Sequence, residues 1–163
     1  MPHIFTSPLL LLTLLSLTSF LIGCSDSSEP AIQLNDPWLR EAPPGATAMA
    51  GYLVIHNHGD ADVSLNYAHS NDFDRIEFHQ SVEENGVYKM IPHTNLNIPA
   101  NGELALQPGS YHLMMIKPKR TLTAGDEVTM TLKFGSDNEM TLVMPVNKAM
   151  HSGGEDHSQH HHH

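Results

Sequence analysis

The stretch Met49-Ala-Gly-Tyr-Leu-Val-Ile-His-Asn57 is the clearest strand in this chain, and the turn His58-Gly59-Asp60 follows it directly. A second strand-like run, Asp62 to His69, comes after the turn, so the pattern predicts an antiparallel pair. Short alternating runs separated by Gly, Pro, Asn and Asp extend from Ala31 to Val146, without a convincing helix. This pattern predicts an all-β fold, an antiparallel β-sandwich or β-barrel.

Seven further strands are predicted between turn residues. They are Ile32 to Arg40, Arg75 to Val82, Val87 to Ile91, Glu103 to Leu106, Tyr111 to Ile116, Glu127 to Phe134 and Met140 to Val146. Asn85-Gly86 separates two of these strands, and Asn-Gly readily takes the positive φ angles of a tight hairpin. We therefore expect the strand that begins at Arg75 to pair with the strand that begins at Val87.

The N-terminal segment has the features of an export signal. Residues 1–23 contain no Asp, Glu, Lys or Arg, and Leu9 to Leu17 is an almost continuous apolar run. Leu21-Ile22-Gly23-Cys24 looks like a bacterial lipobox. We expect residues 1–23 to be a lipoprotein signal peptide, Cys24 to be lipidated, and residues 24–30 to tether a domain to a membrane in the periplasm or cell envelope. The alternative is an ordinary cleaved signal peptide followed by a chance cysteine.

Composition limits the function of the remaining chain. Its length predicts one domain, which we assign to residues 31–146. The 18 acidic and 8 basic residues give a net charge of −10, which argues against nucleic acid as a partner. The charge fits a soluble domain that attracts cations or a basic partner, although solubility alone explains it equally well. No G-x-S-x-G or H-E-x-x-H motif and no nucleophilic cysteine is present, so we do not expect an enzyme.

Two imidazoles and two thioethers form a candidate metal site: His79, Met90, His112 and Met114. His112 and Met114 are two residues apart, so they share one face of a strand. The Asn-Gly hairpin puts Met90 near Ser81, diagonal to His79 and within side-chain reach. Thioethers favour a soft ion, and Cu(I) is the soft ion that His and Met share. The alternative is that these Met residues fill the core and that their spacing arises by chance.

The segment 147–163 has no strand pattern, and we expect it to be disordered. Its six histidines offer a possible second site for Cu(II), Zn(II) or Ni(II). They are His151, His157, His160, His161, His162 and His163. The alternatives are a purification tag and a merely solvated tail.

From Ala31 to Val146 the sequence resembles the PCu(A)C family of periplasmic copper chaperones. The resemblance rests on these stretches: Trp38-Leu39-Arg40, Ala42-Pro43-Pro44-Gly45, Ala50-Gly51-Tyr52-Leu53, Asn57-His58-Gly59-Asp60, Ile76-Glu77-Phe78-His79, Gly86-Val87-Tyr88-Lys89-Met90 and Pro108-Gly109-Ser110-Tyr111-His112-Leu113-Met114. The family's ligand pattern, H-x10-M-x21-H-x-M, matches the four candidate ligands without a gap. Two other positions depart from the family: many relatives have Met at the position of Tyr88, and some have Met at the position of Gln80. Neither departure removes a principal ligand.

The resemblance implies a cupredoxin-like Greek-key β-barrel or sandwich that binds one Cu(I). It also implies delivery of copper to a membrane partner, such as the cytochrome c oxidase subunit with the binuclear copper centre, or exchange with another copper chaperone. Two rivals remain open at this point. One is a copper-scavenging or resistance lipoprotein without a dedicated acceptor, and the other is a structural or adhesive β-domain whose His and Met residues are incidental.

Overall fold

The computed structural model describes residues 31–148, which form ten strands and no helix. The strands are β1 (Ile32–Arg40), β2 (Ala48–Asn57), β3 (Val63–His69), β4 (Phe73–Glu84), β5 (Val87–His93), β6 (Leu96–Ile98), β7 (Gly102–Leu106), β8 (Tyr111–Pro118), β9 (Glu127–Phe134) and β10 (Asn138–Asn147). Within these residues no helix is long and apolar enough to cross a membrane.

The strands form one open sheet in the order β5-β4-β8-β7-β2-β1-β10-β9-β3-β6, and β8 also pairs with β2. Buried side chains from both ends of this order belong to one hydrophobic core. Phe78 and Met115 come from the half that contains β4 and β8, and Leu65 and Phe134 come from the half that contains β3 and β9. The sheet therefore folds over on itself as a sandwich, with β5 and β6 as its edge strands.

Alternation along the strands explains which side chains fill this core. In β8, Leu113 and Met115 are fully buried, whereas Met114 between them is only partly buried. In β4, Phe78 is buried and its neighbours face the other way. Because successive side chains point to opposite faces, each of these strands has a core face and an outer face.

The Asn85-Gly86 turn fixes the register of the β4–β5 hairpin. Both residues have positive φ, 55° and 77°, which is the backbone of a two-residue hairpin turn. The turn joins Glu84 and Val87 as a pair, and the register then brings Ser81 opposite Met90. The predicted hairpin and the predicted position of Met90 across from Ser81 are both confirmed.

The predicted all-β, cupredoxin-like fold is confirmed, with differences in detail. The strand β6 was not predicted, since three residues are too few to show a period. The strand β4 is longer than predicted. Two of the pairings, β1 with β10 and β7 with β8, are parallel. The predicted signal peptide, the Cys24 anchor and nearly all of the His-rich tail lie outside the described residues.

Candidate metal centre

Three neighbouring strands carry the four predicted ligands. The strand β4 lies between β5 and β8, and His79 of β4 pairs directly with His112 of β8. On the same face, Glu77 of β4 pairs with Met114 of β8. On the other side of β4, Met90 of β5 pairs with Ser81. Residues that pair directly, or lie diagonally across neighbouring strands, are within side-chain reach of each other. The fold therefore brings both predicted pairs to one place.

This place is the outer face of the sheet, opposite the hydrophobic core. The core side of the same strands is occupied by Phe78, Leu113 and Met115. Even so, His112 is only 4% exposed and is one of three buried polar residues in residues 31–148. The two imidazole rings lie 5.9 Å apart between centroids, tilted by 52°. A buried imidazole beside a second imidazole, with a nearby thioether, is an arrangement that can bind a metal ion.

The hydrogen bonds of His112 leave its Nε2 lone pair free. Its Nδ1 lies 3.0 Å from the carbonyl oxygen of Ser110. A carbonyl oxygen only accepts hydrogen bonds, so Nδ1 carries the hydrogen and donates it. In the uncharged ring, Nε2 is then an unprotonated nitrogen. A backbone carbonyl that holds one ring nitrogen is a common way to orient a metal-binding histidine.

His79 is held the other way round. Its Nε2 lies 3.0 Å from Oε2 of Glu77, and a carboxylate only accepts hydrogen bonds, so Nε2 carries the hydrogen. Its Nδ1 is buried and has no hydrogen-bond partner. A buried acceptor without a partner is costly. A metal ion bound at Nδ1 would satisfy it, so this unpaired atom fits a metal ligand.

Glu77 is a residue of the candidate site that the sequence interpretation missed. Arg75 donates from Nε to its Oε1 at 2.6 Å, and this bond, with the bond from His79, lowers the pKa of the Glu77 carboxyl group. The carboxylate thus stays ionised and continues to accept from His79. Its position two residues before His79 on the same strand face was visible in the sequence. Its role depends on a contact that periodicity does not specify.

The four predicted ligands differ in their exposure to solvent. His112 is buried, the His79 side chain is 13% exposed, and Met114 is partly buried. Met90, on the edge strand β5, is 57% exposed. Solvent, or another protein, therefore reaches this site from the β5 side.

An aromatic pair lies on the same outer face, on the other side of β8. Trp38 and Tyr52 are 4.6 Å apart between ring centroids, and the Arg40 guanidinium lies 5.5 Å from the Tyr52 ring. The register aligns Arg40 with Ala50 and Ala50 with Met114. Burial raises the pKa of the Tyr52 hydroxyl group. Trp38 therefore packs against Tyr52 and Arg40 on this face.

No group of three or more His, Cys, Asp or Glu side chains within residues 31–148 is arranged to hold a metal ion. All six histidines of the predicted second site lie in the tail, outside the described residues. The candidate site on the outer face instead combines two histidines, His79 and His112, with two thioethers, Met90 and Met114. Its occupation by copper stays a prediction.

The structure is a small all-β domain with a candidate metal site on the outer face of its sheet. Residues 32–146 match the family described as "Putative lipoprotein LpqE-like". The chain belongs to this LpqE-like family.

The chain is also similar to proteins from two bacteria. The chain is 29% identical over 116 residues to "Putative lipoprotein Lxx21020" of Leifsonia xyli subsp. xyli, and covers 69% of that protein. It is 31% identical over 120 residues to "Uncharacterized protein RP573" of Rickettsia prowazekii, and covers 66% of it. Each match includes 71% of this chain. The chain thus spans about two thirds of the length of each relative.

Solved structures with this fold include copper-bound proteins. The copper-bound PCuAC domain from PmoF2 superposes with a TM-score of 0.64 at 23% identity, over 74% of this chain and 95% of that domain. The solution structure of CuI-DR1885 from Deinococcus radiodurans superposes with a TM-score of 0.57 at 26% identity, over 74% of this chain and 80% of that one. The likeness to the PmoF2 domain, at 23% identity, shows the fold alone.

Proposed function

We propose that this protein is an exported copper chaperone. In this proposal His79, Met90, His112 and Met114 bind one Cu(I) ion, which is the cargo of the protein. The observation that carries the proposal is the direct pairing of two histidines that each use one ring nitrogen in a hydrogen bond, Nε2 of His79 and Nδ1 of His112. The other nitrogen of each ring, Nδ1 of His79 and Nε2 of His112, is left available to a metal ion. The copper-bound state named for PmoF2 and for DR1885 supports the choice of metal.

The ligand chemistry supports Cu(I) over other ions. Imidazole alone suits copper, zinc and nickel about equally, whereas a thioether selects a soft ion. Thioethers need no deprotonation, so binding by Met90 and Met114 depends little on pH. They also form no disulfides, which matters in an oxidising compartment. A His and Met site can therefore hold Cu(I) where a thiolate site would be oxidised.

We further propose that the protein works at the cell envelope and passes its copper to a membrane protein. The names of the family and of the Leifsonia relative both contain the word lipoprotein, which supports a lipid anchor at Cys24. The resemblance to PCu(A)C chaperones makes the binuclear copper centre of cytochrome c oxidase the preferred acceptor. The His-rich tail, in this proposal, collects Cu(II) or Zn(II). The function is binding and transfer, and we expect no catalytic turnover.

Titration of the mature chain with Cu(I), against a competing Cu(I) chelator, tests the binding function. We expect one tight equivalent that His112→Ala and Met114→Ala each weaken by tenfold or more, since even outer-shell partners of metal ligands cost roughly 10- to 100-fold when removed. His69→Ala is the matched control, because His69 is an exposed histidine on β3. Binding that is indifferent to both site substitutions would refute the proposal. Tight binding without release to an oxidase subunit would favour the scavenging alternative.

A further inference from the structure

The β4–β5 hairpin extends beyond the rest of the sheet as an arm. The pairing of β4 with β8 ends at Gln80, whereas its pairing with β5 continues to Glu84. The arm, residues 80–91, therefore consists of two strands that mainly contact each other. An isolated two-stranded hairpin is only marginally stable, and this one is anchored at its base by the β4–β8 pairing.

The arm carries most of the exposed large apolar side chains of the described chain. Six such residues are exposed in residues 31–148, and four of them lie on β5: Val87, Tyr88, Met90 and Ile91, with Tyr88 the most exposed at 72%. Exposed apolar residues that are grouped on the surface of a domain often mark an interaction site, and two of these four, Tyr88 and Met90, share one face of β5. Single exposed apolar residues elsewhere, such as Tyr67 and Val143, need no such explanation.

The two faces of the arm are different. Register pairs Ser81 with Met90 and Glu83 with Tyr88, so these side chains lie on the face that contains the metal site. Ile91 belongs to the opposite face, because it neighbours Met90 in the strand. Tyr88 is therefore the next side chain outward from Met90 on the metal-site face.

We infer that the Tyr88 and Met90 face of the arm is the docking surface for the copper-accepting protein. This inference rests on the proposed function. Transfer by ligand exchange requires an acceptor ligand to reach the copper, and the accessible side of the site is that of Met90, whereas His112 is buried. An acceptor that reaches Met90 from solvent also meets Tyr88. Tyr is a residue that often dominates binding energy at interfaces.

The occupant is a protein with an apolar surface and a basic rim around its copper site. The chain has a net charge of −10, and Glu83 lies opposite Tyr88 on the docking face. A basic rim would be attracted by both. Strand pairing with a second copy is a weaker alternative, because the edge strand β5 contains Pro92 and Lys89. Proline and lysine on an edge strand discourage the addition of a further strand.

The test measures the second-order rate of Cu(I) transfer from the full mature chain to an apo soluble oxidase domain that contains the binuclear copper centre. Protein separation and metal analysis at successive times give the rate. We expect Tyr88→Ser to slow transfer about tenfold, with Cu(I) affinity changed less than twofold. Tyr67→Ser, on β3, and Ile91→Ser, on the opposite face of the arm, are the matched controls and should transfer at nearly the wild-type rate. Glu83→Gln should slow transfer at low salt only.

Four results would overturn the docking surface. One is an unchanged rate for Tyr88→Ser, and another is equal slowing by Tyr67→Ser or Ile91→Ser. The third is wild-type protein that holds one Cu(I) but transfers none to this domain, which would leave the binding function intact. Failure of the proposed function itself would appear earlier, as the absence of tight Cu(I) binding. Sedimentation of the wild-type chain as a dimer that Tyr88→Ser abolishes would assign the arm to self-association instead.

Discussion

The β8 side and the β5 side of the proposed copper site differ in how firmly the protein holds their side chains. On β8, His112 is buried, and Met114 lies between two fully buried core residues of the same strand. On β5, Met90 is 57% exposed on an arm at the edge of the sheet. We propose from this comparison that β8 holds the ion firmly and that β5 allows its exchange. The following predictions test this division.

The largest effect should come from the adjacent pair Met114 and Met115, which lie on opposite faces of β8. Met115→Ala should lower the free energy of unfolding by about 2–5 kcal/mol, because it leaves a cavity in the core, and should change Cu(I) affinity little. Met114→Ala should do the reverse, with a loss of stability below about 1 kcal/mol. Urea unfolding of the apoprotein and chelator competition measure the two quantities. Equal effects of both substitutions on Cu(I) affinity would contradict the assignment of Met114 to the outer face and Met115 to the core.

Met90→Ala should weaken Cu(I) binding by less than Met114→Ala does, because solvent already reaches this ligand. Its effect on the free energy of unfolding should lie within about 0.5 kcal/mol. Chelator competition and urea unfolding again provide the measurements. Ile91→Ala is the matched control, since Ile91 is an exposed neighbour on the other face of the arm, and it should leave copper binding unchanged. A Met90→Ala loss larger than that of Met114→Ala would reverse the proposed division.

Glu77→Gln should reduce Cu(I) affinity by up to about tenfold, because it loosens the orientation of His79. A glutamine side chain both donates and accepts, so it no longer fixes the hydrogen on Nε2 of His79. Nitrogen-15 NMR of the apoprotein reports this directly, with a single Nε2–H form expected in the wild type and a mixture in the variant. Glu83→Gln, on the same strand face but farther out, should leave the His79 signals unchanged. Identical spectra for Glu77→Gln and wild type would contradict the positioning role.

The smallest effect is expected at Asp62, on the half of the sheet away from the copper site. Asp62 accepts hydrogen bonds from the Ala100 backbone N–H at 2.9 Å and the Asn97 side chain at 3.1 Å, and these lower the pKa of its carboxyl group. A lowered pKa means that the ionised form stabilises the fold. The contribution is present above the usual carboxyl pKa, about 4, and is lost as the pH falls below it.

Asp62→Asn should therefore flatten the acid end of the stability curve slightly and leave Cu(I) binding unchanged. Thermal unfolding between pH 3 and pH 7, with copper titration at pH 7, measures both properties. A change in copper affinity would show that the two halves of the sheet are coupled, and would weaken any account confined to β4, β5 and β8.

Much of the site's geometry could be predicted from local sequence. Period-two alternation put His112 and Met114 on one face, and the Asn85-Gly86 turn put Met90 across from Ser81. The direct pairing of His79 with His112 could not be predicted, because it depends on β4 lying beside β8, some thirty residues away in sequence. Such long-range neighbours are decided by packing of the whole sheet, not by the period of either strand.

The same limit explains what was missed in the fold. The strand β6, Leu96–Ile98, is too short for its alternation to stand out. The parallel pairing of β1 with β10 joins the two halves of the sheet. It could not be predicted, because strands of this length show the same hydrophobic alternation whether they pair in parallel or antiparallel. The role of Glu77 required the contact with His79, although its position on the same face was predictable.

X-ray absorption spectroscopy of the mature chain with one equivalent of Cu(I) tests the central claim most directly. The account predicts a first shell of two nitrogen and two sulfur ligands, which loses one sulfur in Met90→Ala and one sulfur in Met114→Ala. Sulfur is distinguishable from nitrogen in such spectra. Because the tail contains one thioether, Met150, beside its histidines, the loss of sulfur in the two variants is what assigns the sulfur ligands to Met90 and Met114. A shell of nitrogen and oxygen alone, or a sulfur count that neither substitution changes, would contradict the site.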